Sequence, residues 1–237
     1  MEIKIYKAEE RGSADYGWLK TKHTFSFNSY FDINKINFGV LRVLNDDIVQ
    51  PQKGFTTHRH ENMEIITIPL KGALKHVDSE GNEYIIKESE VQIMSAGKGI
   101  EHSEFNVSDK TPVNFLQIWI YPKEKNTVPK YQKKSFNLKN GINSLIPIVS
   151  PDEKNTLNIN QDAYIFYSHI TKNKSIKYKL KIKNNGIFIF VISGEIVINN
   201  EHLSDKDGIG IENVNEIKIK SVNESKILIF EIPMKNF

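Results

Sequence analysis

The amino-acid sequence predicts an all-β protein built of two tandem β-barrels. Apolar and polar residues alternate along many short stretches. The clearest, residues 174–183, places Ile176, Tyr178, Leu180 and Ile182 on one face and lysines on the other. Such a period of two is typical of a half-buried strand. Turn segments separate these stretches at regular spacing and no long window has a helical period, which indicates a sandwich or small barrel.

The other predicted strands are apolar or alternating runs, each bounded by a turn. In chain order they lie at residues 38–44, 63–68, 74–77, 84–87, 91–94, 115–121, 164–169, 187–192, 195–198, 217–220 and 227–232. The turns are marked by Gly, Asn and Asp, which tolerate the left-handed backbone of tight turns. They lie at residues 80–82, 96–99, 184–186, 199–200 and 206–208.

A weak internal similarity suggests that the barrel occurs twice. Residues 70–74 resemble residues 192–196, and residues 116–120 resemble residues 227–231. A Lys- and Asn-rich segment between the two copies begins at Pro122. We therefore expect two barrels packed face to face: an N-terminal barrel at 1–122, a largely irregular linker at 123–145 and a C-terminal barrel at 146–237.

The composition excludes several classes of protein. Cysteine is absent, which rules out disulfides, thiolate nucleophiles, iron–sulfur clusters and cysteine zinc sites. The net charge is only +3 and arginine is scarce, so nucleic-acid recognition is not expected. The lysine row of residues 174–183 is interpreted as a solvated strand face rather than a polyanion track. The N-terminus predicts no signal peptide and the apolar run at 187–192 is too short to span a bilayer, so we expect a cytoplasmic monomer without a membrane partner.

Two short motifs could supply metal ligands. His58 and His60 are two residues apart, and His102 and Glu104 repeat this spacing after a Gly-rich turn. Residues i and i+2 share a face of a strand, so two adjacent strands would offer three nitrogens and one carboxylate oxygen. This set suits Fe(II), Mn(II), Co(II), Ni(II), Cu(II) or Zn(II), and it leaves an open position for catalysis.

The remaining acidic and histidine candidates have less definite roles. Glu64 has the parity of the histidine pair, provided that the strand is not bulged. It could orient a ligand imidazole, exchange roles with Glu104 as ligand or base, or simply face solvent. His76 could line the rim of the pocket or be structural, and His23 is expected to be structural. In the second barrel the counterpart of the His102–Glu104 motif falls near residues 217–219, so that barrel is expected to bind no metal.

The chain resembles the pirin family of the cupin superfamily, whose members include quercetin 2,3-dioxygenase-like proteins. The resemblance is dense over residues 12–121 and loose in the second half. It runs through Gly17-Trp-Leu19, His23-Thr-Phe-Ser-Phe27, Phe38-Gly-Val-Leu-Arg-Val-Leu-Asn-Asp-Asp47, Gly54-Phe-Thr-Thr-His-Arg-His60, Asn62-Met-Glu-Ile65, Asp78-Ser79, Val91-Gln92 and Met94-Ser-Ala-Gly-Lys-Gly-Ile-Glu-His-Ser-Glu104. The chain departs from the family pattern only in two turns, at residues 52–53 and 89–90.

The resemblance implies two jelly-roll cupin barrels and one mononuclear metal, usually iron, bound by His58, His60, His102 and Glu104. It implies either of two functions. The first is a dioxygenase that opens a flavonol-like aromatic ring with O2, with Glu104 or Glu64 taking the proton of the substrate hydroxyl. The second is a metal-dependent, redox-sensing regulator that acts through a protein partner. An apolar cavity that opens onto the metal would favour the enzyme, whereas a sugar-isomerase-like cupin would require a more polar pocket.

Overall fold

The computed structural model describes residues 1–234 and is almost entirely β-structure. Residues 235–237, which end the predicted C-terminal barrel, lie outside this range. The first strands are β1 (Glu2–Tyr6), β2 (Gly12–Asp15), β3 (Leu19–His23), β4 (Leu41–Val49), β5 (Gly54–His60), β6 (Glu64–Lys71), β7 (Ala73–Asp78), β8 (Glu83–Lys87), β9 (Glu90–Ser95), β10 (Ile100–Asn106), β11 (Val113–Ile120) and β12 (Lys130–Ser135). The others are β13 (Ile146–Ser150), β14 (Leu157–Asn158), β15 (Tyr164–Ile170), β16 (Ser175–Lys179), β17 (Gly186–Ser193), β18 (Ile196–Ile198), β19 (Glu201–Leu203), β20 (Gly208–Glu212), β21 (Glu216–Ser221) and β22 (Ser225–Ile232).

Two short 3-10 helices, Ala8–Glu10 and Leu138–Gly141, are the helical elements of the described chain. Within residues 1–234 no helix is long and apolar enough to cross a membrane.

Each half of the chain forms a seven-stranded sheet that faces a four-stranded sheet. In the N-terminal half the strand orders are β12-β9-β6-β11-β4-β3-β2 and β5-β10-β7-β8. In the C-terminal half they are β1-β20-β17-β22-β15-β13-β14 and β16-β21-β18-β19. This arrangement of antiparallel strands in two layers is the predicted pair of jelly-roll cupin domains.

The boundaries of the two domains differ from the predicted ones at two places in the chain. Strand β1 pairs with β20, so the first residues belong to the C-terminal sheet. The segment expected to be an irregular linker contains β12, which pairs with β9. The sequence of β12 has no apolar alternation because β12 is an edge strand. Its Tyr131 hydroxyl donates to Gln92 Oε1 at 2.9 Å, and Lys133 Nζ lies 3.1 Å from Glu90 Oε1.

The strand predicted at residues 174–183 ends earlier than its alternation suggests. Strand β16 stops at Lys179. The reason is that the backbone N–H groups of Lys181 and Ile182 donate to the buried carboxylate of Glu231, each at 2.8 Å, instead of continuing the ladder. The lysine face of β16 is exposed, and Lys177 Nζ lies 3.1 Å from Glu216 Oε1.

The two seven-stranded sheets pack face to face, as the sequence predicted. Leu116 and Ile118 on β11 belong to the same apolar cluster as Phe188 on β17 and Phe230 on β22. This cluster is the core between the two domains.

The interiors of the two domains differ. The C-terminal interior is one continuous apolar cluster, which contains Ile217 and Ile219 at the positions expected to correspond to the second metal-ligand motif. The N-terminal interior holds two separate apolar clusters, one around Phe115 and one around Ile65. Polar side chains occupy the space between those two clusters, and they form the candidate site.

Candidate metal centre

Two neighbouring strands of the N-terminal four-stranded sheet bring three histidines together. His58 and His60 share a face of β5 because they are two residues apart. His102 on β10 lies directly opposite His58, and Glu104 lies opposite Phe55 because a β-bulge adds one residue on β5. One ring nitrogen from each of His58, His60 and His102 lies within 4.8 Å of the others. The structure therefore gathers these three rings on the inner face of the sheet.

A hydrogen-bonded chain behind His102 determines its tautomer. His76 Nε2 lies 3.0 Å from Asp78 Oδ2, and the carboxylate must accept, so Nε2 carries the proton of His76. His76 Nδ1 is then an acceptor, and it lies 3.4 Å from His102 Nδ1, which must donate. The lone pair of His102 is therefore on Nε2, which faces the histidine cluster. His76 was expected either to line the rim of the pocket or to be structural. It lies fully buried, between Asp78 and His102.

Asp78 is itself held as a charged acceptor. Burial raises its pKa, but hydrogen bonds from His76, the backbone N–H of Asn82 and the Asn82 side chain more than offset this and lower the pKa below its usual range. An ionised Asp78 keeps the His76 proton on Nε2 and so keeps the proton of His102 away from the cluster.

The lone pair of His58 is also on Nε2, as it is in His102. His58 Nδ1 lies 2.8 Å from the carbonyl oxygen of Thr56, so Nδ1 carries the proton. The Nε2 atoms of His58 and His102 lie 3.0 Å apart. Two lone pairs at this distance repel unless a cation lies between them. Two nitrogens bound at right angles to one ion, with bonds of about 2.1 Å, would be separated by about 3.0 Å.

His60 and His102 are also held neutral, which is the form that binds metals. Burial, reinforced by the neighbouring rings of His102 and His58, lowers the pKa of His60 to about 3. Burial, reinforced by His58 and His76, lowers the pKa of His102 to about 3. The donor set therefore fits a divalent transition metal, because nitrogen lone pairs of His58 and His102 face the cluster while the ring protons of these two residues lie on the other nitrogen.

Glu104 lies beside this cluster and is oriented by three donors. Gln92 Nε2 and the Thr67 hydroxyl donate to Oε1 at 2.9 and 3.3 Å, and Gln117 Nε2 donates to Oε2 at 2.8 Å. A carboxylate oxygen of Glu104 lies within 4.8 Å of ring nitrogens of His102 and His76. The carboxylate of Glu104 therefore lies next to the histidine cluster, grouped with His76 and His102 rather than with His58 and His60.

Glu64 lies away from this group. Its Oε2 accepts from the Ser95 hydroxyl at 2.8 Å and from the backbone N–H of Asn160, in the C-terminal half, at 3.2 Å. The assumed parity does not hold, because His60 ends β5 and Glu64 begins a different strand, after a turn in which Asn62 has a φ of 49°. Burial raises the pKa of Glu64, against the lowering effect of the Ser95 and Asn160 hydrogen bonds. The structure therefore places Glu64 outside the groups of side chains that could hold an ion, and a role for Glu64 at the metal stays a prediction.

A cavity of about 770 Å³ opens onto the histidines and Glu104. This volume lies within the range of about 300–1,000 Å³ that is typical of small-molecule sites. Its walls include His58, His60 and Glu104. Most of the remaining surface is apolar, and the aromatic side chains in the lining are Tyr16, Trp18, Phe27, Phe55, Phe105 and Trp119.

A row of polar side chains crosses the seven-stranded sheet opposite the histidines. Cross-strand pairing places one polar residue from each of five consecutive strands side by side: Gln92, Thr67, Gln117, Asn45 and His23. Each of the five is a buried polar residue. The sequence did not predict this row, because their strands carry other polar residues as well and only the pairing between strands brings these five together.

Asp47 lies next to this row and is a further site residue that sequence reasoning missed. It is buried, lines the cavity and lies opposite Thr21 of β3. Burial raises its pKa to about 7; Thr21 and Arg11 lower it, while Asp46 and Glu104 raise it further.

The other histidines lie outside the group. His23 is buried with Nδ1 3.0 Å from Asn45 Oδ1, at the end of the polar row. His169 and His202 are in the C-terminal half, where each contacts one glutamate, Glu224 at 2.7 Å and Glu195 at 3.2 Å.

Comparisons with known proteins agree with this architecture. Residues 5–120 match the family model described as Pirin, and residues 147–232 match the model described as Quercetinase C-terminal cupin domain. The chain is 38% identical over 232 residues to a protein named quercetin 2,3-dioxygenase from Escherichia coli K12, covering 98% of this chain and 99% of that one.

Solved structures are similar over the same extent. The crystal structure of YhhW from Escherichia coli matches with a TM-score of 0.94 at 36% identity, covering 100% of both chains. A second structure of this bacterial pirin, in complex with nickel(II), matches with a TM-score of 0.93 at 36% identity and covers 99% of this chain and 100% of that one.

Proposed function

This chain belongs to the pirin family, and from that premise we propose that it is a metal-dependent dioxygenase that opens a flavonol-like aromatic ring with O2. The observation that carries the proposal is the cavity: a largely apolar, aromatic-lined space large enough for a fused bicyclic ring opens onto His58, His60 and Glu104. A regulator acting through a protein partner would not need such a space. The names of the relatives support the same reaction class.

His58, His60 and His102 would hold one divalent ion, with Glu104 as the fourth ligand or as the base beside it. We propose iron(II) as the native ion; nickel, copper, zinc, cobalt and manganese compete for the same nitrogen and oxygen donors. When bound, the ion supplies Lewis acidity that lowers the pKa of a coordinated substrate hydroxyl.

The protein supplies the proton acceptor and the orientation of the substrate. Glu104 faces the cavity, and its carboxylate is positioned by Thr67, Gln92 and Gln117. An oxygen of Glu104 accepts the proton of the substrate's 3-hydroxyl as the oxyanion forms. The apolar walls of the cavity exclude water from the aromatic ring of the substrate. Trp119 limits where that ring can lie, because it packs against His60 with ring centroids 4.9 Å apart.

The test combines metal analysis with oxygen uptake. The wild type, purified anaerobically and loaded with iron, should bind one metal per chain and consume O2 when quercetin is added. Glu104→Gln should reduce uptake by about 10²–10⁴-fold, the usual contribution of a positioned general base. His102→Ala should lose the metal, whereas His202→Gln, a histidine on the exposed surface of the C-terminal domain, should retain both metal and turnover.

Two outcomes would contradict the proposal. If the fully loaded wild type consumes no O2 with any flavonol, the dioxygenase function is wrong and a regulatory function becomes the better explanation. If Glu104→Gln turns over like the wild type, Glu104 is not the base.

A further inference from the structure

Two residues that line the cavity each have a buried polar atom without a partner within residues 1–234. Asp47 Oδ1 is an acceptor without a donor, and Trp119 Nε1 is a donor without an acceptor. Both residues line the cavity. A buried polar atom without a hydrogen bond destabilises the folded protein by about 1–3 kcal/mol in general. A ligand that fills the cavity and supplies these bonds would remove that destabilisation.

The surroundings of Asp47 show which kind of group is missing. The carboxyl is buried beside Phe115, its directly opposite neighbour on β11, and no cation lies against it closely enough to form an ion pair within the described chain. Its neighbour Asp46 takes the nearby cations instead, with Lys206 Nζ at 3.0 Å and Arg11 at 4.0 Å. The unmet requirement at Asp47 is therefore a neutral hydrogen-bond donor.

Asn45, two residues before Asp47 and on the same face, offers the complementary group. His23 Nδ1 lies 3.0 Å from Asn45 Oδ1, which can only accept, so the amide oxygen is already used. Burial lowers the pKa of His23, although its bond to Asn45 acts in the opposite direction, so the ring is neutral and donates through Nδ1. The amide NH₂ group of Asn45 is left to donate to a bound ligand.

We propose that Asp47 and Asn45 form a subsite that binds a phenolic hydroxyl of the aromatic ligand, at a distance from the hydroxyl that faces the histidines. The aromatic class of the ligand rests on the proposed function. A phenolic hydroxyl donates to Asp47 Oδ1 and accepts from the Asn45 amide, which meets both requirements with one group. His23 is a positioning residue, because it acts through the Asn45 amide.

The register of the sheet places this subsite on the wall next to the metal ligands. Asn45 is directly opposite Gln117, and Gln117 holds Glu104. Diagonal neighbours in an antiparallel sheet lie about 7–8 Å apart, which is the relation of Asp47 to Gln117. A planar ligand of two or three rings can therefore place one hydroxyl near Glu104 and another at Asp47.

The experiment measures binding rather than turnover, and compares two ligands. The chain has two tryptophans, Trp18 and Trp119, and both line the cavity, so quenching of their fluorescence reports occupancy. Anaerobic titrations with quercetin and with 3-hydroxyflavone, which lacks the additional hydroxyls, are performed on metal-loaded wild type, Asp47→Asn and Asp47→Ala. Glu64→Gln serves as the control, because Glu64 is an equally buried acid that lies outside the cavity.

The wild type and the control should bind quercetin about 10–100-fold more tightly than 3-hydroxyflavone, the ratio expected for one hydrogen bond to a charged or strongly polar group. Asp47→Ala should lose most of this preference while its affinity for 3-hydroxyflavone stays within about threefold of the wild type. If Asp47→Ala does not fold, Asp47→Asn is the test of the subsite. Its preference for quercetin over 3-hydroxyflavone should be about tenfold smaller than that of the wild type.

Equal loss of affinity for both ligands, or an unchanged preference in both variants, would overturn the subsite. These results are distinguishable from failure of the proposed function. Turnover of quercetin with an unchanged preference in Asp47→Ala would remove the subsite but keep the dioxygenase. A preference that depends on Asp47 without any O2 uptake would keep the subsite but remove the dioxygenase.

Discussion

The substitution Asp47→Asn should change how the stability of the metal-free protein depends on pH. Burial raises the pKa of Asp47 from 3.8 to about 7. One pKa unit corresponds to 1.36 kcal/mol, so a shift of about 3 units is worth about 4 kcal/mol. The folded state binds this proton more tightly than the unfolded state. The stabilisation is therefore fully present below pH 4, declines as the pH rises and is lost above pH 7.

The asparagine variant has no proton to lose at this position, and it retains a similar shape. Of the full effect, about 2.5 kcal/mol falls between pH 5 and pH 8. The free energy of unfolding of Asp47→Asn relative to the wild type should therefore increase by that amount across this interval. Other titrating groups are present in both proteins and cancel in the difference.

Urea denaturation of both proteins in the presence of a chelator, at half-unit steps from pH 5 to pH 8, measures this difference. The slope of free energy against denaturant should be the same in the two proteins, so that the midpoints can be compared. A difference that stays constant within about 0.5 kcal/mol over the whole interval would refute the reasoning. It would mean that Asp47 is charged in the folded state and is already stabilised by a hydrogen-bond donor. The subsite would then have no unmet requirement for a donor from the ligand.

Two further predictions concern the residues behind the metal ligands and between the domains. Asp78→Asn should weaken metal binding by about 10–100-fold in a competition assay with a chelator, because the His76 proton is no longer held on Nε2; Glu224→Gln, which removes a similar carboxylate from His169 on the surface, should have no effect. Glu64→Ala should leave metal content unchanged but lower the free energy of unfolding by about 1–3 kcal/mol, because the Ser95 hydroxyl and a backbone N–H lose their buried acceptor.

Each of these two predictions has an outcome that would contradict it. Wild-type metal affinity in Asp78→Asn would mean that the tautomer of His102 is determined by other groups. Loss of metal in Glu64→Ala, with stability unchanged, would return Glu64 to the site.

The shared face of His58 and His60 could be predicted from the sequence because its geometry is local. The i, i+2 spacing of His58 and His60 guarantees a shared face whatever the partner strand. The parity assumed for Glu64 does not apply, because parity holds only within one strand and the turn at Asn62 separates β5 from β6. Parity determines which residues share a face within one strand, so it does not predict the face of a residue that lies beyond a turn.

The parts that sequence reasoning missed depend on pairing between distant residues. Strand β1 pairs with residues about 200 positions later in the chain, and no local pattern in its five residues indicates this partner. The polar row is missed for the same reason. Gln92, Thr67 and Gln117 are unremarkable singly and become a feature only when β9, β6 and β11 are in register.

The polar interior of the N-terminal domain explains why this domain depends on the C-terminal domain for stability. Histidines, carboxylates, amides and the cavity interrupt the interior of the N-terminal domain, so its apolar residues form two small clusters instead of one continuous core. The outer face of its seven-stranded sheet carries Leu116 and Ile118, which pack against the aromatic side chains of the C-terminal sheet. Burial of apolar surface is the main stabilising term in folding, and the N-terminal domain contributes more buried apolar residues to the cluster between the domains than to either cluster in its own interior. The C-terminal domain, with an aliphatic interior of its own, therefore stabilises from outside a sheet whose inner face is committed to the metal ligands and the cavity.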